Sequence, residues 1–338
     1  MIEGYIIKAV NREDLSFQEA TDAMDEIMSG GVEEISLSSF LTAMKMKGEV
    51  PAELAGFAFS MIKNAESFKR EGYLIDTCGT GGDGKGTINV STISALMAAC
   101  AGVRVAKHGN RAVSGKCGSA DVLEALGIRI DLSSDQTSRQ IDETNFGFLF
   151  APVYHKAMKN AMKVRKTLNF PTVFNILGPL SNPARVDAQV LGVFKKELVE
   201  PMAKVLEKLG IKRALVVHGT DGYDEISISD KTHIAEIRDG DYREYEYTPR
   251  RMMSYEGSSE GPAYNAQIIE KMFENRIFGA QRELVLNNAA AAIYIGNMAD
   301  DMQQGYEAAD EILQKKLGID KINQILAYQK RISSGKAV

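Results

Sequence analysis

Apolar residues in the first part of the chain recur at helical spacing. Ala20, Ala23, Met24, Ile27 and Met28 form one stripe, which Gly30–Gly31 interrupts. Phe40, Leu41 and Met44 form a second. Leu54, Phe57, Ala58, Met61 and Ile62 form a third, behind a Pro51 placed where helices begin. Three short helices cannot bury such stripes alone. Residues 1–70 therefore read as a small helical domain that packs on itself and on a second subunit.

The pattern changes after Gly72. Short apolar runs at Leu74–Ile75, Val103–Ala106, Asp187–Phe194, Ala214–Val217 and Ile226–Ile228 read as strands. His233–Ile237 and Tyr242–Tyr247 read as edge or antiparallel strands. Helical stripes lie between and after them, at 91–101, 122–126, 198–209, 266–273, 284–295, 302–316 and 322–331. Ser91 and Ser119 stand where helix caps are expected. Strands alternating with crossover helices predict an α/β domain over 71–338. The irregular segment near 165–185 has the composition of a piece that crosses between domains or returns to the helical one.

Composition narrows the class. Hydrophobic residues make up 44 % and charged residues 25 %, which excludes a disordered chain. The formal charge of -5 argues against a protein that coats nucleic acid. Cys78, Cys100 and Cys117 make no CxxC pair, so neither a disulfide framework nor a cysteine zinc site is expected. No signal-peptide pattern or membrane-length apolar run occurs. The expectation is a cytoplasmic protein without a membrane partner.

The densest chemical signal runs from Asp76 to Thr92. It contains Gly79, Gly81, Gly82, Gly84 and Gly86, with hydroxyls at Thr80, Thr87, Ser91 and Thr92. Glycines let backbone amides approach an anion, and a following helix start points N–H groups the same way. The pattern is neither a Walker A loop nor a dinucleotide fingerprint. Asp83 would repel a bare phosphate, and a divalent cation between them removes that conflict.

Lys107 ends a strand, where it can reach a phosphate oxygen. His108, Gly109, Asn110 and Arg111 follow. Arg111 could bind an anion or a nearby carboxylate. The stretch Ser114–Asp121 again suits an oxygen-rich ligand, with Ser119 either capping a helix or binding that ligand. Cys117 reads as a small structural residue. Asp224 and Glu225 are adjacent carboxylates after an apolar strand, placed to face one hard cation such as Mg²⁺. Asp221 reads as a turn residue. Arg165 offers a planar fork for a carboxylate, with a surface salt bridge as the alternative.

This inventory lacks an activated nucleophile. It favours positioning and charge balancing of a phosphorylated substrate, as in transfer from a pyrophosphorylated sugar.

The same residues carry a resemblance. Asp76–Gly84, Asn89–Thr92, Lys107–Arg111, Gly118–Asp121, Val164–Arg165 and Phe174–Asn175 resemble the anthranilate phosphoribosyltransferase family. So do Leu177–Leu180, Asn182–Ala184, Val217–Gly219, Asp221–Gly222, Asp224–Glu225 and the region Asn287–Ala291. The resemblance implies a small helical domain joined to an α/β domain of the nucleoside phosphorylase type. It implies a homodimer, a Mg²⁺ requirement, and transfer of 5-phosphoribosyl from 5-phosphoribosyl 1-diphosphate to anthranilate. By resemblance, Gly79, Gly82, Asp83, Thr87, Asn89, Ser91, Thr92, Lys107 and Ser119 bind the donor. Gly79, His108, Asn110, His155, Arg165 and Gly178 receive anthranilate. Ser91, Asp224 and Glu225 hold the metal, and Lys107, Arg165 and Asp83 are the catalytic set. A pyrimidine nucleoside phosphorylase shares the architecture. It would be expected to carry lysine and serine before the glycine loop, where Asp76–Thr77–Cys78 stands here.

Overall fold

The computed structural model describes residues 1–112, 115–257 and 259–334. Ser114 of the second glycine-serine stretch lies outside them. The N-terminal stripes sit in α2 (Phe17–Ser29), α3 (Glu34–Lys47) and α4 (Pro51–Lys63), and a further helix, α1 (Ile2–Val10), precedes them. Helix α1 buries only Ile2 and Ala9, too few positions to make a stripe. Ser16 opens α2 reciprocally: its hydroxyl accepts from the Glu19 amide, and the Glu19 carboxylate accepts from the Ser16 amide. Glu53 is fully buried and accepts from the Leu15 and Val50 amides and the Lys47 ammonium, which ties the loops to the bundle.

A seven-stranded sheet follows. Its strands are β1 (Ile75–Gly79), β2 (Val105–Gly109), β3 (Phe146–Phe150), β4 (Ala188–Gly192), β5 (Arg213–Gly219), β6 (Thr232–Arg238) and β7 (Asp241–Tyr247). The order is β3-β2-β1-β4-β5-β6-β7. The first five are parallel, and β6 and β7 add as an antiparallel hairpin. The chain builds one side of the sheet from β1 to β3, then the other from β4. Ligands of open α/β sheets bind where the order reverses, here the crevice beyond the carboxyl ends of β1 and β4.

Helices cover the sheet: α5 (Val90–Cys100), α6 (Ser119–Ala125), α7 (Ser134–Thr144), α8 (Ala151–Tyr154), α9 (Lys159–Leu168), α10 (Phe174–Leu177), α11 (Val199–Lys208), α12 (Pro262–Phe273), α13 (Ala280–Ile295), α14 (Met302–Gln314) and α15 (Leu317–Ser333). Helix α9 leaves the sheet after β3 and packs on α2 and α3, while α10 touches α4. Ala161, Val164, Val173, Phe174 and Leu177 share one apolar cluster with α1–α4.

Three local expectations are corrected. Ile226–Ile228 is a buried loop, not a strand. Its polar backbone is satisfied by side chains: Asn288 accepts from the Ile226 amide and donates to the Ile226 carbonyl, and Thr232 accepts from the Ser227 amide. Asn89, not Ser91, flanks the start of α5, and Ser91 lies inside the first turn. Gly118, not Ser119, precedes α6. The Gly118 amide donates to Asp121, and no side chain caps the first-turn amides as the serine was expected to.

Candidate active site

Strand β1 delivers Gly79 to the crevice and β4 delivers Gly192. A Cβ at Gly79 would stand 2.6 Å from Asp224 Oδ2, and one at Gly192 would stand 1.6 Å from the Asp224 carbonyl. Only side-chain-free strand ends allow Asp224 to lie across both. The Gly81 amide donates to Asp224 Oδ2 at 2.8 Å, so the glycine-rich turn and the acidic turn after β5 are fastened together.

Three carboxylates meet there without enough cations. Asp83 lies beside Asp224, and its Oδ2 is buried without a partner. Burial, then the Asp83 charge, pushes Asp224 up to about 7. Burial, then Asp224 and Asp83, holds Glu225 well above the usual carboxylate range, and Lys107 opposes this. Asp221 is a turn residue, accepting from Ser227.

Lys107 stands in the middle of β2, not at its end as the sequence suggested, and is almost fully buried. Its ammonium donates to the Thr77 carbonyl at 2.5 Å and to Ser91 Oγ at 3.2 Å. Burial lowers its pKa, and Asp76 opposes that shift. Asp76 is fully buried on β1. It accepts from the Thr77 and His108 amides and from Asn182 Nδ2. Sequence reasoning gave no role to Asp76 or Asn182. A charged residue inside an apolar strand was the available signal for Asp76.

The other residues expected to bind the donor lie in the turn and at the starts of α5 and α6. Asn89 Nδ2 donates to the Cys117 carbonyl at 3.2 Å, and Asn89 Oδ1 is buried and unpaired. Thr92 Oγ1 is also buried and unpaired. Ser119 Oγ donates to the Asn110 carbonyl. Thr87 is half-buried, and Gly82 lies exposed in the turn. Arg111 pairs with Glu124 and Asp121, so the carboxylate alternative holds for it. Burial raises the Cys78 and Cys117 thiols, which suits the structural reading of Cys117.

Of the residues expected to receive anthranilate, Arg165 on α9 lies against the helical bundle, and Asn110 lies beside the start of α6. His108 Nδ1 is 3.2 Å from the Gly178 carbonyl, and His155 Nε2 is 3.0 Å from the Ser181 carbonyl. The two rings meet edge to face at 5.1 Å. Burial drives His108 down to about 3 and His155 to about 4, so both are neutral near pH 7. Neutral His108 donates from Nδ1 and leaves Nε2 as a buried, unpaired acceptor. Arg165 on α9 lies over the Phe174 ring at 5.0 Å and has no carboxylate partner among the described residues. Burial lowers its pKa. Asn110 is exposed, and its Oδ1 accepts from the Arg111 amide.

Comparison with known proteins gives concordant matches. Residues 3–65 match the helical bundle domain of a glycosyl transferase family, and residues 71–316 match its α/β domain. A relative from Thermoanaerobacter sp. (strain X514), an anthranilate phosphoribosyltransferase, is 45 % identical over 98 % of this chain and 100 % of its own. The crystal structure of the Thermus thermophilus anthranilate phosphoribosyltransferase superposes with a TM-score of 0.88 at 38 % identity, covering 96 % of this chain and 99 % of that one. The Saccharomyces cerevisiae enzyme, in complex with PRPP and Mg, superposes with a TM-score of 0.87 at 26 % identity, covering 97 % of each chain.

The chain belongs to the anthranilate phosphoribosyltransferase family. The glycosyl transferase α/β match contains every residue expected to bind the donor. It also contains Arg165, although α9 packs on the helical bundle. Arg165 is thus carried by one domain's sequence and held against the other domain's helices.

Proposed function

We infer that this chain transfers the 5-phosphoribosyl group from 5-phosphoribosyl 1-diphosphate to anthranilate, giving N-(5-phosphoribosyl)anthranilate and pyrophosphate in tryptophan biosynthesis. One observation carries the reading: a glycine-lined cradle at the β1–β4 reversal holds Asp83, Asp224 and Glu225 with too little positive charge. That donor set fits Mg²⁺, with Asp83 Oδ2 free to bind or to accept from a bound water. No three such groups among the described residues hold an ion unaided. Mg²⁺ ordinarily keeps several waters and takes substrate phosphate oxygens as ligands. Asp224, Glu225 and Ser91 would hold it, and when bound it neutralises charge on the departing pyrophosphate.

The chain's own groups do the rest. Amides of Gly79 and Gly82 in the turn and side chains of Thr87, Asn89, Ser91, Thr92 and Ser119 orient the donor. Lys107, fixed by Thr77 and Ser91, offsets phosphate charge. Arg165, rigid on Phe174, takes the anthranilate carboxylate. His108, Asn110, His155, Gly79 and Gly178 line its approach. The aniline nitrogen is nucleophilic when neutral. The C1–N bond forms as the C1–O bond breaks, pyrophosphate leaves with the electron pair, the nitrogen loses one proton to solvent, and charge stabilisation dominates the barrier.

Two structural assignments accompany this reading. Residues 1–70 with the return near 165–185 form the helical domain, supported by the packing of α9 and α10. Ile7, Val10, Ile35 and Met46 are large apolar side chains left exposed on α1 and α3, supporting a homodimer through these helices. Sedimentation of Ile35→Asp should show a shift toward monomer, and an unchanged mass would refute that face. No described helix is long and apolar enough to cross a membrane. The charge of -5 supports the absence of a nucleic-acid partner, which a DNA-retention assay checks.

Pyrophosphate release tests the function. Release should require both anthranilate and Mg²⁺. Release of base from uridine or thymidine with phosphate instead would point to phosphorolysis.

A further inference from the structure

The glycine-rich turn has little to hold its shape from within. Gly81, Gly82, Gly84 and Gly86 all have positive φ, between +63° and +84°, a region these residues occupy without a side-chain penalty. Inside the turn, the Lys85 amide donates to Asp83 Oδ1 at 3.1 Å. Asp224 holds its near end through Gly81. Its far end is held by a remote segment, the connection from β7 to α12.

That connection crosses the turn closely. The Ser259 amide donates to the Gly86 carbonyl at 2.9 Å. A Cβ at Gly257 would stand 1.9 Å from the Lys85 carbonyl and 2.6 Å from that of Gly86. Nearby, Tyr255 accepts from the Tyr223 hydroxyl and donates its amide to Ser229 Oγ. The Lys85 ammonium lies over the Tyr223 ring at 5.1 Å. Asn265, on the first turn of α12 and almost fully buried, donates to Ser259 Oγ at 2.8 Å and to the Gly261 carbonyl at 2.9 Å. The Cys117 thiol lies against the same amide, and the Cys117 carbonyl accepts from Asn89. Asn265 therefore stands between the glycine-rich turn and the loop at Cys117 that leads into Ser119 on α6.

We propose that Gly257, Ser259 and Asn265 are positioning residues for the sugar donor: they clamp the glycine-rich turn at Lys85–Gly86 and link it to the loop at Cys117. None of them needs to touch substrate. Their effect is to hold turn amides in the phosphate-binding arrangement before the donor arrives, which lowers the ordering cost of binding. This proposal rests on the donor-binding reading of the turn.

Gly257→Ala forces a methyl group against two backbone carbonyls, so the turn must shift. The donor KM should rise about tenfold, the size of one lost hydrogen bond to a charged phosphate. The anthranilate KM should stay unchanged. The dissociation constant of pyrophosphate measured by calorimetry with Mg²⁺ should rise by a similar factor. Gly305→Ala is the control. Its Cβ would stand 2.5 Å from the Ala290 carbonyl between α14 and α13, so it should lower the melting temperature without changing the donor KM. Asn265→Ala leaves the backbone uncrowded and should give the same donor-selective loss, smaller. It decides the matter should Gly257→Ala not fold. Equal rises in both KM values, or unchanged pyrophosphate binding, overturn the proposal. A wild-type chain that releases no pyrophosphate overturns the functional reading instead.

Discussion

At the ends of β1 and β5, Asp83, Asp224 and Glu225 crowd around a glycine turn, with one buried lysine nearby. Across the crevice, His108 and His155 are neutral, and a single guanidinium lies on an aromatic ring. The donor side stores repulsion between like charges that a cation and a polyanion relieve together. The acceptor side stores none, and offers one fixed positive fork for one carboxylate. The supports differ as well. Lys107 and Asp224 are tied by hydrogen bonds to β1 and its glycine turn, while Arg165 and Gly178 ride on the segment that joins the domains. The first side is shaped for charge, the second for orientation.

The largest effect should come from removing the stored charge. Asp224→Asn combined with Glu225→Gln should lower Mg²⁺-dependent turnover about a thousandfold, since a cation at a departing anion contributes several kcal/mol. The fold should survive, because the change neutralises buried carboxylates that repel each other. Steady-state rates across a Mg²⁺ titration, with circular dichroism, check both parts. Unchanged metal dependence would erase the charge-based half of the comparison. The next effect tests the other half. Arg165→Ala should raise the anthranilate KM tenfold to a hundredfold, from roughly 1.5–3 kcal/mol for a hydrogen-bonded charge pair. The donor KM should move little. Equal shifts in both would mean that the two sides are not separable.

Sequence legibility follows the same division. The donor side is nearly contiguous: Gly79 to Thr92 holds the turn, the hydroxyls and Asp83, so its chemistry is visible without a fold. The acidic pair proposed to hold the metal is also adjacent, at Asp224 and Glu225. The acceptor side is scattered over 108, 155, 165 and 178, and a resemblance, not spacing, brought it together. The alternating strands and helices beyond Gly72 were readable as α/β. Strand β3 was not, because Phe146–Phe150 is a short run without alternation. Ile226–Ile228 misled for a physical reason: Asn288 supplies the hydrogen bonds that a neighbouring strand would. Ser91 and Ser119 are good caps by residue type, yet Asn89 and Gly118 took those places, and the hydroxyls bond the Lys107 ammonium and the Asn110 carbonyl instead. The clamp at Gly257 left no local trace, since the carbonyls it approaches belong to a distant part of the chain.

The smallest effect reads the neutral imidazoles through stability. His155 is held near 4 and His108 near 3 by burial, against 6.5 for a free imidazole. These are bases whose folded pKa is depressed. Below pH 6.5 the unfolded chain binds protons that the folded chain refuses, so their contribution to stability falls as pH drops. The loss continues until the folded values near 4 and 3 are reached. At pH 5 each histidine has lost about 2 kcal/mol, from ~1.5 pH units at 1.36 kcal/mol per unit. Asp224 and Glu225 act in the opposite direction, because their raised pKa values let the folded chain take protons first. The absolute slope therefore mixes the two sides, and a difference between variants isolates one. Urea unfolding at pH 7 and pH 5 should show His155→Gln losing about 2 kcal/mol less than wild type over that interval. An equal loss would mean that His155 is protonated in the folded chain, and the acceptor side would then carry a second positive charge beside Arg165.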